Sequence, residues 1–153
     1  MNILNIFECH LELTNENWFN ELTFNSKFSL NGLKIYDSES QIDKSYNSNT
    51  FNNTEEDTRK IYRHPNFNNH YKVKNGIIIG FGLIIKDQSK QDFITKFGEP
   101  ISEDILIGSV YGMYSYDVEG YDLVYNNFRL VMSPSKEKLE SIQFGEKLLY
   151  WDK

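Results

Sequence analysis

An α+β fold, a mostly antiparallel β-sheet meander with one or two short helices packed on one face, is what this sequence predicts. Three observations carry the prediction. The 153 residues include no alanine but fifteen isoleucines, eleven phenylalanines and ten tyrosines. Alanine is the strongest helix former, whereas Ile, Phe and Tyr suit a pleated, half-buried surface, so a helical bundle is excluded. Asn-Gly pairs stand between apolar stretches at Asn31-Gly32 and Asn75-Gly76. Such pairs are the strongest short hairpin signal, because both turn positions need φ > 0. Full helix punctuation is found once, between Ser89 and Pro100. The length suits a single domain over residues 1–153.

The elements follow in order. Phe7, Cys9, Leu11 and Leu13 alternate with Glu8, His10 and Glu12, the pattern of a half-buried strand. A short stretch at Phe24-Asn25 precedes the hairpin Phe28 to Ile35, turned at Asn31-Gly32. Residues 37–60 change character: they are rich in Ser, Asn, Asp and Glu, with only Ile42, Tyr46 and Phe51 as large apolar residues. They read as a long polar excursion, mobile or functional, holding one short helix around Thr54 to Tyr62. Order resumes at His70, with Tyr71 to Lys74 leading through Asn75-Gly76 into the central strand Ile77 to Ile85. Gly80 and Gly82 on one face of that strand leave room for a helix or another backbone to approach.

Ser89 and Asp92 are spaced as a capping box, Phe93, Ile94 and Phe97 share one helical face, and Gly98 and Pro100 end the helix. Strands then read from Gly108 to Asp117, Tyr121 to Asn126, Phe128 to Met132 and Leu139 to Phe144. Val118-Glu119-Gly120 and Ser133-Pro134-Ser135-Lys136 read as the connecting turns. Leu148 to Trp151 reads as a last edge strand or a docked tail.

Several function classes fall away on composition. Sixteen basic against 22 acidic residues give a net charge of −6, which excludes non-specific nucleic-acid binding. The longest apolar run, Ile77 to Ile85, is strand-sized and interrupted by glycines, so no membrane partner is expected. The start Met1 to Glu8 lacks a basic secretory n-region, and the single Cys9 suits a reducing, cytoplasmic setting as a small buried hydrophobe.

Candidate chemistry is sparse. His64-Pro65-Asn66-Phe67-Asn68-Asn69-His70 has two histidines but no Cys, Asp or Glu between them, so they read as turn and strand-edge residues. Asp117-x-Glu119-Gly120-x-Asp122 lacks the spacing of a calcium loop and reads as a charged hairpin tip. Gly80-x-Gly82 lacks the third glycine and the helix of a dinucleotide fingerprint. The carboxylates Glu99, Glu103, Asp104, Asp117, Glu119 and Asp122 sit where solvated carboxylates normally sit, which leaves no acid-base pair to assign. No catalytic residue, metal ligand or cofactor is expected.

What remains is regional. Splitting the chain after Lys86 gives a net charge of −1 before and −5 after. Between Phe97 and Phe128 there are six acids and no Lys or Arg, interleaved with Tyr111, Tyr114, Tyr116, Tyr121 and Tyr125. Tyrosine among carboxylates is interface composition, since the ring gives contact area at low entropy cost and the charge steers a basic partner. A solvated acidic face over a tyrosine-rich core is the other reading. On the first, Tyr114, Tyr116, Asp117, Glu119, Tyr121 and Asp122 are the partner-binding residues. An aromatic- and Asn-rich sheet that binds carbohydrate or another small ligand, without catalysis, is the alternative.

Phe93-Ile94-x-x-Phe97-Gly98-x-Pro100, Tyr114-x-Tyr116-Asp117, Gly120-x-x-Leu123 and Leu139-x-x-Ile142-x-Phe144 also carry a resemblance. The stretch from Lys90 to Phe144 resembles the helix-then-meander units of β-lactamase-inhibitor-like and BamE-like bacterial proteins and of some toxin-immunity proteins. It covers about a third of the chain. The resemblance implies a binding module with no catalytic residues to carry over, and an immunity protein facing a basic toxin domain is the leading expectation for it. Lipoprotein members of those groups carry a signal and a lipidated cysteine, so an envelope role is not expected.

Overall fold

A computed structural model of the chain describes residues 10–110 and 113–146, and their side chains except those of 107–119. The strands are β1 (Leu11–Glu12), β2 (Phe28–Leu30), β3 (Leu33–Lys34), β4 (Asn47–Asn53), β5 (Thr58–Arg63), β6 (Asn69–Lys74), β7 (Ile77–Ile84), β8 (Ser102–Val110), β9 (Met113–Val124), β10 (Phe128–Met132) and β11 (Leu139–Gly145). Two short helices are α1 (Trp18–Glu21) and α2 (Lys90–Phe97). Among the described residues this is the expected α+β class. Cys9 and Leu148 to Trp151 lie outside the described residues.

Eight strands form one antiparallel sheet in the order β4-β5-β6-β7-β11-β10-β9-β8. It consists of two four-stranded meanders. The helix α2 carries the chain from β7 at the centre to β8 at the far edge, and the second meander returns until β11 pairs with β7. A separate small sheet, β1-β2-β3, has β1 parallel to β2.

Both Asn-Gly turns form as the sequence requires, with φ of 53° and 79° at Asn31-Gly32 and 52° and 80° at Asn75-Gly76. The capping box of α2 is complete: the Asp92 N–H donates to Ser89 Oγ at 3.2 Å and the Ser89 N–H to Asp92 Oδ2 at 2.8 Å. Gly98 at φ 82° ends the helix.

Alternation along β6 puts Tyr71 and Val73 on one face of the large sheet and His70 and Lys72 on the other. The first face is the core. Tyr71, Phe81, Phe144 and Phe128 are register partners or core neighbours along a row that crosses β6, β7, β11 and β10. Phe93 of α2, with no exposed surface, rests 6.0 Å from the Phe128 ring and 5.0 Å from Phe19. Burying such a ring is worth roughly 1.5–3 kcal/mol. Phe28 of the small sheet lies 4.1 Å from Phe144, so both the small sheet and α2 cover this face. Lys96 of α2 donates to the Phe19 and Asn20 carbonyls, tying α1 to α2.

Three expectations need correction, the last in part. Residues 37–60 are not a structureless excursion and hold no helix at Thr54 to Tyr62: after a 3-10 turn at Glu39–Gln41 they form β4 and enter β5, the first hairpin of the large sheet. Val118-Glu119-Gly120 is not a connecting turn, because β9 runs unbroken from Met113 to Val124 and β8 begins at Ser102. The room beside the two glycines is filled only in part as expected: at Gly80 another backbone does approach, an added Cβ lying 2.7 Å from the Phe144 carbonyl oxygen of β11, whereas at Gly82 neither helix nor backbone but the His70 ring takes the space, 2.0 Å from an added Cβ.

Candidate functional site

Two parts of the large sheet are built differently from a plain covered face. The first is the β8–β9 hairpin at one edge. β8 pairs with β9 from Ser102 to Val110, but β10 reaches only Tyr121 to Val124 of β9. The hairpin therefore continues beyond β10 as a two-stranded arm, out along Leu106 to Val110 and back along Met113 to Gly120. Bulges mark its start, between Leu106 and Ile107 and again before Ser109. At Gly120 an added Cβ would lie 2.7 Å from the Met132 carbonyl oxygen, so glycine permits the close approach where the arm leaves the sheet.

Lys136, in the β10–β11 turn, holds the base of this arm. Its ammonium lies 4.3 Å from the centre of the Tyr121 ring and 3.5 Å from Glu103 Oε1 of β8. The expected partner-binding residues thus separate. Tyr114, Tyr116, Asp117 and Glu119 occupy β9 within the arm, and their side chains lie outside the described residues. Tyr121 is half-buried at the base, packed against the core cluster.

Asp122 does not face solvent. It is fully buried, and Arg129 Nη1 meets its Oδ2 at 3.0 Å. Glu99 and Asp104 are exposed, as are Ile101 at 68% and Ile105 at 58% of their full surface. The edge at β8 therefore mixes carboxylates with uncovered apolar side chains, and no expectation from the sequence singled out the two isoleucines. Their signal was available: Ile101, Glu103 and Ile105 alternate with Ser102 and Asp104 in the period of a strand.

The second part is the sheet face opposite the core. Register carries a row of side chains across it: Arg63 pairs with His70, His70 with Gly82, Gly82 with Gln143 and Gln143 with Arg129. Gln143 and Ser141 are buried here. Gln143 Nε2 donates to Ser141 Oγ at 3.0 Å, which turns its Oε1 toward His70 Nε2 at 3.2 Å and makes that nitrogen the protonated one. Burial, then the cations Lys72 and Arg63, push the His70 imidazole down to about 3 against the opposing effect of the Gln143 bond. The ring is neutral at ordinary pH. His70 lies in an interior strand, not at a strand edge as the sequence suggested.

A cleft of about 730 Å³ opens over this row, lined by Arg63, His70, Ile84, Lys86, Lys90, Lys138 and their neighbours. On the core side a smaller hollow of about 310 Å³ is lined by Asn31, Gln41, Asp43, Tyr46, Phe67 and Tyr71 among others. There the Asn31 amide donates to both Tyr46 and Tyr71 hydroxyls at 2.9 Å, joining the small sheet to the large one. Among the described residues no three His, Cys, Asp or Glu side chains converge as a metal site, and no helix is long and apolar enough to cross a membrane. No protein-family model, curated protein or solved structure matches the chain.

Proposed function

We propose that the chain is a small cytoplasmic protein-binding module, an immunity protein that neutralises a bacterial toxin by holding a basic domain against the β8–β9 arm. One observation carries the reading: a tyrosine-rich segment without a single basic residue forms a ribbon that leaves the sheet. A two-stranded ribbon is at best marginally stable in water, so a chain that keeps one gains little fold stability from it. Its use lies in surface offered to something else. Opposite charge on the partner would steer the encounter, and aromatic area would hold it. The order of elements from Lys90 to Gly145, a short helix and then a four-stranded meander, agrees with the resemblance to immunity proteins.

The test is binding of purified toxin domains encoded beside this gene, by calorimetry. Charge reversal at Asp104, Asp117 and Glu119 together should weaken the complex and reduce its salt dependence without changing the melting temperature. Unchanged affinity would remove the arm from the interface. Asp122 is left out of the variant because its role lies inside the fold.

The carbohydrate- or small-ligand-binding alternative draws on the 310 Å³ hollow, where Phe67 and Tyr46 meet amide and carboxylate groups. A stabilising thermal shift with a member of a glycan panel, lost in Phe67→Ala, would favour it.

A further inference from the structure

We propose that the cleft over the β6-β7-β11 face is a binding site for a small organic anion, a carboxylate or phosphate ester with a compact apolar part. Its volume of about 730 Å³ lies in the range of small-molecule sites, roughly 300–1,000 Å³. Four cations line it, Arg63, Lys86, Lys90 and Lys138, against two carboxylates, Glu137 and Glu140. In a chain of net charge −6 the walls of this one cleft carry an excess of positive charge. Among the described residues, Lys86, Lys90 and Lys138 form no ion pair with the protein. Their ammonium groups are uncommitted, and they come from three separate places: the end of β7, the start of α2 and the start of β11.

The floor is polar and held in place. His70 fits where Gly82 has no side chain, and the chain of bonds from His70 through Gln143 to Ser141 fixes its orientation. Burial first, and then the nearby cations Lys72 and Arg63, keep the His70 ring of this floor neutral. Ile84, exposed at 54% of its surface, supplies an apolar wall. An anion with a ring or short alkyl group would place its charge among the ammonium groups and its apolar part on Ile84. A field of this sign favours the anion over a neutral molecule of the same shape.

The experiment titrates isotope-labelled full-length protein with phenyl phosphate, benzoate and, as the neutral counterpart, benzyl alcohol, following backbone amide shifts. The expected result is a saturating shift at Gly82, Ile84 and Ser141 with one or both anions and none with the alcohol. The tighter of the two anions then identifies the head group. Lys86→Glu with Lys138→Glu, in a variant that melts as the parent does, should weaken binding by about tenfold or more. The proposal is overturned by no saturable shift at these amides up to about 10 mM anion, by an equal response to benzyl alcohol, or by unchanged affinity in the double variant. None of these results bears on the β8–β9 arm, whose test is separate.

Discussion

Gly82→Ala is the substitution that the cleft floor is least able to absorb. Gly82 is not in the left-handed region, so alanine is allowed there by the backbone and would by itself stabilise by about 0.5–1 kcal/mol through the unfolded chain. Against this, the new Cβ would stand 2.0 Å from His70 Cε1, 2.2 Å from its Nε2 and 2.7 Å from Gln143 Oε1. The ring must leave. Overpacking of this kind costs roughly 1–3 kcal/mol, and the lost His70–Gln143 hydrogen bond about 1 more. The balance is a destabilisation of about 2 kcal/mol, which in a domain of this size lowers the melting temperature by roughly 4–8 °C. In a His70→Ala background the ring is gone, and of the three nearest atoms Gln143 Oε1 alone remains, released from its bond to the ring and able to shift at the far end of its side chain. There Gly82→Ala should be neutral or slightly stabilising, a coupling on the order of 2 kcal/mol. Urea midpoints for the parent, both single variants and the double variant measure it. An equal cost of Gly82→Ala in both backgrounds would refute the assignment of His70 to that space.

Two further outcomes separate structural from surface carboxylates. Asp122→Ala should cost about 3 kcal/mol, because it strips a buried partner from Arg129, whereas Asp104→Ala, one strand away and exposed, should stay within about 0.5 kcal/mol; denaturant titrations that give equal costs would contradict this. Glu12 accepts from the N–H groups of Thr14, Asn31 and Gly32 and from the Thr14 and Ser29 hydroxyls. Burial pushes its carboxyl up, but the Gly32, Thr14 and Asn31 N–H bonds outweigh it and hold it below its ordinary 4.5. Stabilisation by a depressed carboxyl is complete above its unfolded value and fades as pH falls through the folded one. Glu12→Gln should therefore melt several degrees below the parent at neutral pH, with the gap closing under acid conditions; a gap independent of pH would show that the charge is not what holds the Asn31-Gly32 turn.

The legible parts of the fold are those set by local chemistry. Asn31-Gly32, Asn75-Gly76 and the Ser89–Asp92 box depend on residues within four positions of one another, and each forms as read. β4 was illegible for a physical reason. It is an edge strand whose seven residues, Asn47 to Asn53, include only Phe51 as a large apolar side chain, so its pairing with β5 leaves no hydrophobic period to detect. β5 hid itself differently, since Tyr62 packs toward the main core while Ile61 joins Ile79 and Phe51 in a second cluster. A strand that is apolar on both sides at adjacent positions does not alternate. Val118-Glu119-Gly120 misled because glycine after glutamate suits a turn, whereas Gly120 serves a close approach to the Met132 carbonyl within one long strand.

The same distinction governs the candidate sites. A count of six acids between Phe97 and Phe128 does not tell which carboxylate faces solvent. Asp122 finds Arg129 only through the register of β9 on β10, and Glu103 finds Lys136 only because the next turn folds back across the hairpin. Among the described side chains the acidic surface is smaller than composition implies, with Glu99 and Asp104 as exposed members. The cationic cleft shows the converse. Lys86 and Lys90 are four positions apart, but Arg63 and Lys138 come from distant segments, and they meet because β7 pairs with β11, at the junction of the two meanders. Net charge is a sum over the whole surface, whereas a ligand responds to the field at one place. An overall charge of −6 argues against a polyanion, which must lie across many faces at once, but it sets no sign for a cleft that a single small anion can fill.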